Sequence, residues 1–77
     1  MYGKNELDCV IALASMTYAL RGEGILRSAG IPVRIVRLSP GQTTRGCSHG
    51  LAINSINHDA ARRALDNYGI PAGETVR

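Results

Sequence analysis

A short sequence that occurs twice constrains the fold of this chain more than any other feature. Residues 28–34 read SAGIPVR, and residues 67–77 read NYGIPAGETVR. In each copy the glycine can end a helix in the left-handed conformation, the isoleucine can pack back on that helix, and the proline prevents the helix from continuing. One helix therefore ends before Gly30 and another before Gly69, which implies two similar halves, each with a strand and a helix.

Apolar periodicity predicts the first half. Residues 7–14 (LDCVIALA) form a short apolar run typical of a buried strand, and Ser15 after it can cap a helix. The apolar residues of that helix recur at helical spacing: Tyr18, Gly22, Ile25, Leu26 and Ala29. Because Gly22 lies on this apolar side, where glycine costs helical stability, we expect it to permit close approach to a sheet.

The second helix follows the same logic. Asn57 can cap it, and one face would hold four residues: Ala61, Ala64, Leu65 and Tyr68. Two oppositely charged pairs at a spacing of four residues, Asp59 with Arg63 and Arg62 with Asp66, would support it. His58 in its first turn is expected at the surface.

The remaining strands complete a known fold class. Residues 33–38 (VRIVRL), 50–54 (GLAIN) and 74–76 have strand character, and the arginines at 34 and 37 suit an edge strand. The order βαββαβ predicts an α+β, ferredoxin-like sandwich with a four-stranded antiparallel sheet and both helices on one face. The 77 residues make one domain, 1–77, in which 1–6 form an N-terminal tail.

Alternation along the strands separates two sheet faces. Cys9, Ile11 and Leu13 with Leu51 and Ile53 should meet the helices. The opposite face would then carry small apolar groups: Val10, Ala12, Ala14, Gly50 and Ala52. Such an open apolar face could pack on a second copy of the chain. One candidate function is therefore a non-catalytic binding or regulatory module that dimerises through this face.

The loop over residues 39–49 is longer than a hairpin requires and contains TTRGCSHG at 43–50. The predicted topology places it at the same end as the start of the first helix, so that Cys47 would face Ser15, Met16 and Thr17. Neighbouring glycines, Gly46 and Gly50, would expose the sulfur.

The surroundings of Cys47 predict a nucleophilic thiol, and the alternative is an incidental loop cysteine without a role in chemistry. The amides that open the first helix, together with Arg45 and His49, would favour the thiolate. Cys9 should instead lie in the core at the opposite end of its strand, on the order of 15 Å away at about 3.3 Å per residue, too far for a disulfide.

Other function classes fit poorly. The formal net charge is +3, but the basic residues are scattered along the chain. Where an RNA-recognition domain has base-stacking aromatics, this chain has Cys47, His49 and Ile53, so we expect no nucleic-acid partner. The cysteine and histidine spacings match no zinc pattern, and nothing indicates a cofactor.

The location expected from the sequence is cytoplasmic. No apolar run reaches the roughly 20 residues that a membrane helix needs. The apolar run at 10–14 is preceded by Glu6 and Asp8, which is the wrong charge for a signal peptide. Two cysteines alone do not resemble the framework of a small secreted protein, so reduced thiols are expected.

The order of these features resembles the selenium/sulfur carrier-like family. The similarity runs from about Asp8 to Val76 and rests on the Ser15-Met16-Thr17 turn, AGIPVR at 29–34, the Ser/Thr-rich loop with its cysteine, and GLAI at 50–53. The resemblance implies that Cys47 is the carrier cysteine, that Gly50 opens the third strand, and that Ser15 and Thr17 belong to the family's Ser/Thr turn. This sequence differs in having Ser48 and His49 between Cys47 and Gly50, where many relatives have cysteine directly before glycine.

The function that this resemblance implies is that of a carrier protein more than a stand-alone enzyme. The Cys47 thiolate would accept sulfur or selenium from a desulfurase-type donor enzyme as a persulfide or perselenide, and would pass it to an acceptor protein. A small domain suits this role, because the partner enzymes perform the difficult chemistry.

Overall fold

The computed structural model describes residues 7–39, 41–43 and 46–76. The predicted tail at 1–6 lies outside this part of the chain. The elements are β1 (Cys9–Leu13), α1 (Met16–Ser28), β2 (Arg34–Arg37), β3 (His49–Ile53), a 3-10 turn (Ser55–Asn57), α2 (His58–Asn67) and β4 (Ala72–Val76). The predicted order is confirmed, although β4 begins two residues earlier than expected and the 3-10 turn was not predicted.

The four strands form one antiparallel sheet in the order β2-β3-β1-β4. α1 packs on β2 and β3, and α2 packs on β4 and against α1. This is the predicted ferredoxin-like arrangement, with β2 at an edge as its arginines indicated. Because β1 and β2 run in the same direction, the β2–β3 loop leaves the sheet at the end where α1 begins.

Both helices end as the repeated sequence predicts. Gly30 and Gly69 have φ angles of 80° and 73°. The Gly30 N–H donates to the Arg27 carbonyl at 3.0 Å, and the Ile31 N–H donates to the Leu26 carbonyl at 2.9 Å; Gly69 and Ile70 make the equivalent bonds. These are the two hydrogen bonds of a Schellman motif. Ile31 and Ile70 are both buried, so each helix end is fixed to the core.

The core lies between the sheet and the helices. Cys9, Ile11 and Leu13 face the helices with Leu51 and Ile53, as the alternation predicted. The helices, the segments that follow them and the turns supply the rest: Ala19, Leu26, Ile31, Val33, Ala61, Leu65 and Ile70. Ala29 and Tyr68, the last residue predicted on each apolar helix face, are exposed, because each is the C-cap residue after its helix has ended.

Ser15 and Asn57 occupy the predicted N-cap positions of α1 and α2, but only Ser15 makes a side-chain cap hydrogen bond. The Ser15 hydroxyl accepts from the Tyr18 N–H at 3.2 Å. The Asn57 side chain makes no cap hydrogen bond, because the 3-10 turn precedes α2 directly. Asn54 caps that turn instead by accepting from the Ile56 N–H at 2.9 Å, and Asp8 accepts from the Ser55 N–H at 2.8 Å.

Polar contacts join α2 to β4 in a way that helix spacing did not indicate. Instead of pairing with Asp66, Arg62 donates to the backbone carbonyls of Gly73 at 2.9 Å and Ala72 at 3.5 Å. Asp59 lies 3.3 Å from the Nδ1 atom of the preceding residue, His58, rather than pairing with Arg63.

His58 is not a simple surface residue. Its side chain is 27% exposed, and its Nε2 atom lies 2.8 Å from the Thr75 Oγ1 atom of β4. The short connection between α2 and β4 brings two side chains of the helix, Arg62 and His58, into contact with the neighbouring strand.

The sheet face opposite the helices is not open at its centre, which corrects the prediction for Ala12 and Ala52. Ala12 is 0% exposed and Ala52 is 4% exposed. Over Gly50, the Val10 Cγ1 and Leu38 Cδ1 atoms lie 2.6 Å and 3.3 Å from where a Cβ atom would be. Larger apolar side chains on this face therefore fill the space above the glycine within a single chain.

The expected role of Gly22 is confirmed by its surroundings. A Cβ atom there would lie 2.8 Å from Leu51 Cδ1 and 3.2 Å from Leu65 Cδ2, so α1 approaches β3 and α2 closely at this point. Gly24, two residues later in the same helix, would meet no atom within 4 Å. Packing therefore requires glycine at position 22 but not at position 24, so that Gly24 serves as a control for Gly22.

We predict opposite effects of alanine at these two positions. Gly24→Ala should raise the free energy of unfolding by about 1 kcal/mol, because alanine forms helix better than glycine. Gly22→Ala should lower it by about 1 kcal/mol, because overpacking of the core outweighs that gain. Urea denaturation followed by circular dichroism measures both. Equal stabilisation by the two substitutions would show that α1 does not need the close approach.

Candidate functional site

The described part of the β2–β3 loop is held by hydrogen bonds to its own backbone. The buried Thr43 hydroxyl accepts from the Cys47 N–H at 2.8 Å, and the Thr43 carbonyl accepts from the Gly46 N–H at 3.4 Å. At the base of the loop the Leu38 N–H donates to the Ser48 carbonyl at 2.8 Å, which extends the pairing of β2 with β3. The backbone of Cys47 therefore has a defined position relative to the sheet.

The two cysteines of the chain lie in different environments. Cys9 is the first residue of β1 and is completely buried in the core, whereas Cys47 lies in the loop before β3 and is partly exposed. Neither forms a disulfide. Cys9 pairs with Ile53 at the far end of β3, so the two cysteines lie at opposite ends of the sheet, as predicted.

Cys47 lines two clefts. The first, with a volume of about 410 Å³, is formed by the loop and the adjoining strand ends: Arg37, Leu38, Gly41, Gly46, Cys47, Ser48 and His49. The second, of about 380 Å³, lies between Cys47 and the α2–β4 region: Cys47, Arg62, Ala72, Gly73 and Glu74. The sulfur-bearing residue is thus shared by two open depressions at one end of the molecule.

The second cleft contains residues that sequence reasoning missed. The sequence predicts Arg62 and Glu74 only as parts of a helix and a strand. No spacing in the sequence relates them to Cys47, because the relation depends on α2 and β4 both reaching the end of the sheet that carries the loop. The anchoring of Arg62 to β4 places it at this cleft.

The predicted residues at the start of α1 lie at the same end of the sheet as the loop. The Ser15 hydroxyl is engaged by the Tyr18 N–H, and Met16 and Thr17 are exposed. Neither of the two clefts described for Cys47 contains one of these three residues. The residues that line the two clefts with Cys47 therefore come from the loop itself, from the strands and from α2.

The remaining predicted site residues surround Cys47 in the chain. His49 opens β3, opposite Leu13 and Arg37, and its Nδ1 atom lies 3.0 Å from the Ser48 Oγ atom. Gly46 lies in the first cleft with a φ of 72°. β3 therefore begins at His49, one residue before the predicted start at Gly50. Arg45 lies outside the described residues.

Comparison with known proteins identifies the family. The family model described as "Putative Se/S carrier protein-like" matches residues 8–77, nearly the whole chain. The chain belongs to this family. The resemblance to the Se/S carrier-like family that the sequence predicted is therefore confirmed. Searches of the curated proteins and of the solved structures gave no significant match.

The part of the chain that the structure describes offers no metal-binding cluster and no helix that could cross a membrane. Over these residues, His, Cys, Asp and Glu side chains form no group of three or more that could hold a metal ion. The helices in the same residues are too short or too polar to span a bilayer.

We predict that the Thr43 hydroxyl stabilises the loop around Cys47. Thr43→Val keeps the shape but leaves the Cys47 N–H without its acceptor, so the free energy of unfolding should fall by about 1 kcal/mol, and the Cys47 amide should exchange faster with deuterium. Thr43→Ser, which keeps the hydroxyl, should retain the protection of that amide. If Val and Ser protect it equally, the hydrogen bond does not control the loop.

Proposed function

We propose that this Se/S carrier-like protein carries sulfur or selenium on Cys47. One observation carries the proposal: of the two cysteines, Cys9 is completely buried and Cys47 is partly exposed between two clefts. The sulfur of a carrier cysteine must attack a donor protein during loading, and its cargo must be open to attack by an acceptor protein. Cys47 is the cysteine whose position suits that exchange.

The loading step balances without an added oxidant or reductant. The Cys47 thiolate attacks the terminal sulfur of a persulfide on a cysteine of the donor enzyme. The bond from Cys47 Sγ to the terminal sulfur forms, the donor's sulfur–sulfur bond breaks, and the donor cysteine leaves as a thiolate. The proton of the terminal sulfur travels with it and then passes to water or to the donor thiolate when the cargo ionises. A perselenide on the donor reacts in the same way at selenium.

Unloading is the same reaction with Cys47 as the leaving group. A nucleophile on the acceptor protein attacks the terminal sulfur or selenium, and Cys47 leaves as a thiolate. The carrier supplies a defined position for the sulfur, through the Thr43 hydrogen bond to the Cys47 N–H, and open clefts on both sides. Such exchange requires a compartment that keeps Cys47 reduced, which is consistent with the cytoplasm.

The competing hypothesis of a dimer through the open sheet face has lost its main support. Ala12 and Ala52, the small residues expected to meet a second copy, are already covered within one chain. A charged substitution at Ala12 would therefore disturb the monomer as well. We accordingly favour the carrier function.

We predict that Cys47 is loaded by a donor enzyme. After incubation with a cysteine desulfurase and cysteine, intact-mass spectrometry should show an added mass of one sulfur, and peptide mapping should place it on Cys47. A selenocysteine substrate should give the selenium adduct. The sulfur adduct should disappear on mild reduction with dithiothreitol, since a persulfide is reducible.

Two variants control this experiment. Cys47→Ala should accept no sulfur, while Cys9→Ala should load as the unchanged protein does. Because Cys9 is a core residue, folding of the Cys9→Ala protein is checked by circular dichroism. Equal labelling of the unchanged protein and Cys47→Ala, or no labelling of either by an active donor, would exclude a carrier role for Cys47.

A further inference from the structure

We infer that Arg62 is the residue that binds the negatively charged cargo on Cys47. This inference rests on the proposed carrier function and adds a second residue to its site. The terminal sulfur or selenium of a persulfide or perselenide is acidic, so that the cargo is carried largely as an anion. An anion held beside a cleft needs a fixed positive charge or hydrogen-bond donors close to it.

The position of Arg62 meets the first requirement, which is proximity. Arg62 of α2 lines the cleft that Cys47 shares with the first residues of β4. It contributes the positively charged side chain among the described residues of that cleft, and Glu74 contributes the acidic one. The volume of about 380 Å³ is ample for the one sulfur or selenium atom carried beyond the Cys47 sulfur.

The second requirement is that the charge is fixed in place. The two terminal nitrogens of Arg62 donate to the Gly73 carbonyl at 2.9 Å and the Ala72 carbonyl at 3.5 Å. The Arg62 side chain is partly buried, so water screens its charge less than that of an exposed arginine. A guanidinium has five N–H donors and is always charged, so two carbonyl contacts leave donors for an anion.

Two other arginines provide a comparison. Arg63 is the next residue in α2, is exposed, and lies outside both clefts of Cys47. Arg37 lines the first cleft but is exposed at the end of the edge strand β2. An exposed charge of this kind is screened by water and contributes little to binding an anion. Arg62, which is anchored to β4, is therefore the arginine that we assign to binding the anionic cargo.

The test compares two alkylating reagents on unloaded Cys47. Iodoacetate is an anion and iodoacetamide is neutral, and both react with the thiolate. The ratio of their rate constants therefore does not depend on how much thiolate is present, and reports the local positive charge. Rates are followed by mass spectrometry of the Cys47 peptide, at low and at moderate ionic strength.

Arg62→Gln should lower the iodoacetate-to-iodoacetamide ratio at least about threefold, as expected for the loss of one nearby charge. Arg63→Gln and Arg37→Gln should each leave the ratio within about twofold of the unchanged protein. Arg62→Lys keeps the charge but not the two-nitrogen anchor, so its ratio should fall between those of the unchanged protein and Arg62→Gln. An unchanged ratio in Arg62→Gln, or an equal fall in Arg63→Gln or Arg37→Gln, overturns the inference.

Folding is checked for each variant by thermal unfolding, since Arg62 also joins α2 to β4. If Arg62→Gln does not fold, Arg62→Met gives the same comparison with an apolar chain of similar length. A second measurement follows the sulfur-loaded protein: Arg62→Gln should lose its persulfide to a small thiol faster than Arg63→Gln does. Equal rates of loss argue against Arg62 as the cargo-binding residue.

The outcomes separate this inference from the carrier function. If Cys47 loads normally and Arg62→Gln matches Arg63→Gln in both measurements, the carrier function stands and the inference about Arg62 fails. If Cys47 never loads, the carrier function fails whatever the alkylation ratio shows. A fall of the ratio in Arg62→Gln alone would then still identify Arg62 as the anion-attracting residue of the Cys47 cleft.

Discussion

The cap that ends each helix is the constraint on which the rest of the molecule depends. Gly30 and Gly69 take the positive φ that a chain of ordinary residues avoids, and the isoleucines after them are buried in the core. The chain thereby leaves each helix at a fixed point and returns to the sheet within a few residues. With α1 placed on β2 and β3 and α2 on β4, the edge strands β2 and β4 have defined positions on either side of the central pair.

The site is a consequence of that arrangement. The antiparallel pairing of β2 with β3 places their connecting loop at the end where α1 begins and α2 ends. The Thr43 hydroxyl then holds the backbone of Cys47 in place, while Arg62 and the first residues of β4 complete a cleft on the other side of the sulfur. Cys9 lies in the core at the opposite end of the sheet. It carries the same thiol group, but other proteins cannot reach it. Position in the fold, and not residue type, separates the carrier candidate from the structural cysteine.

Particular residues show where sequence reasoning succeeds and where it stops. Gly22 was correctly predicted to permit close packing, because a helix-breaking residue on an apolar face has few other reasons to be there. Arg62 was wrongly paired with Asp66, since helix spacing describes only neighbours within the helix, whereas a long side chain can also reach the next strand. Tyr68 was predicted on the apolar face of α2 but is exposed after its end, since apolar periodicity alone does not give the residue at which a helix ends.

The sequence by itself determined the order of elements, the helix ends and the core face of β1, because each depends on local backbone preferences or on alternation along a single element. It also determined the family, which rests on the order of motifs along nearly the whole chain. Tertiary structure decided which residues surround Cys47. It also decided that Ala12 and Ala52 are covered, and that Arg62 lies at the cleft of the candidate cysteine. These relations join residues that are distant in the chain, and they follow only from the packing of strands, loop and helices against one another.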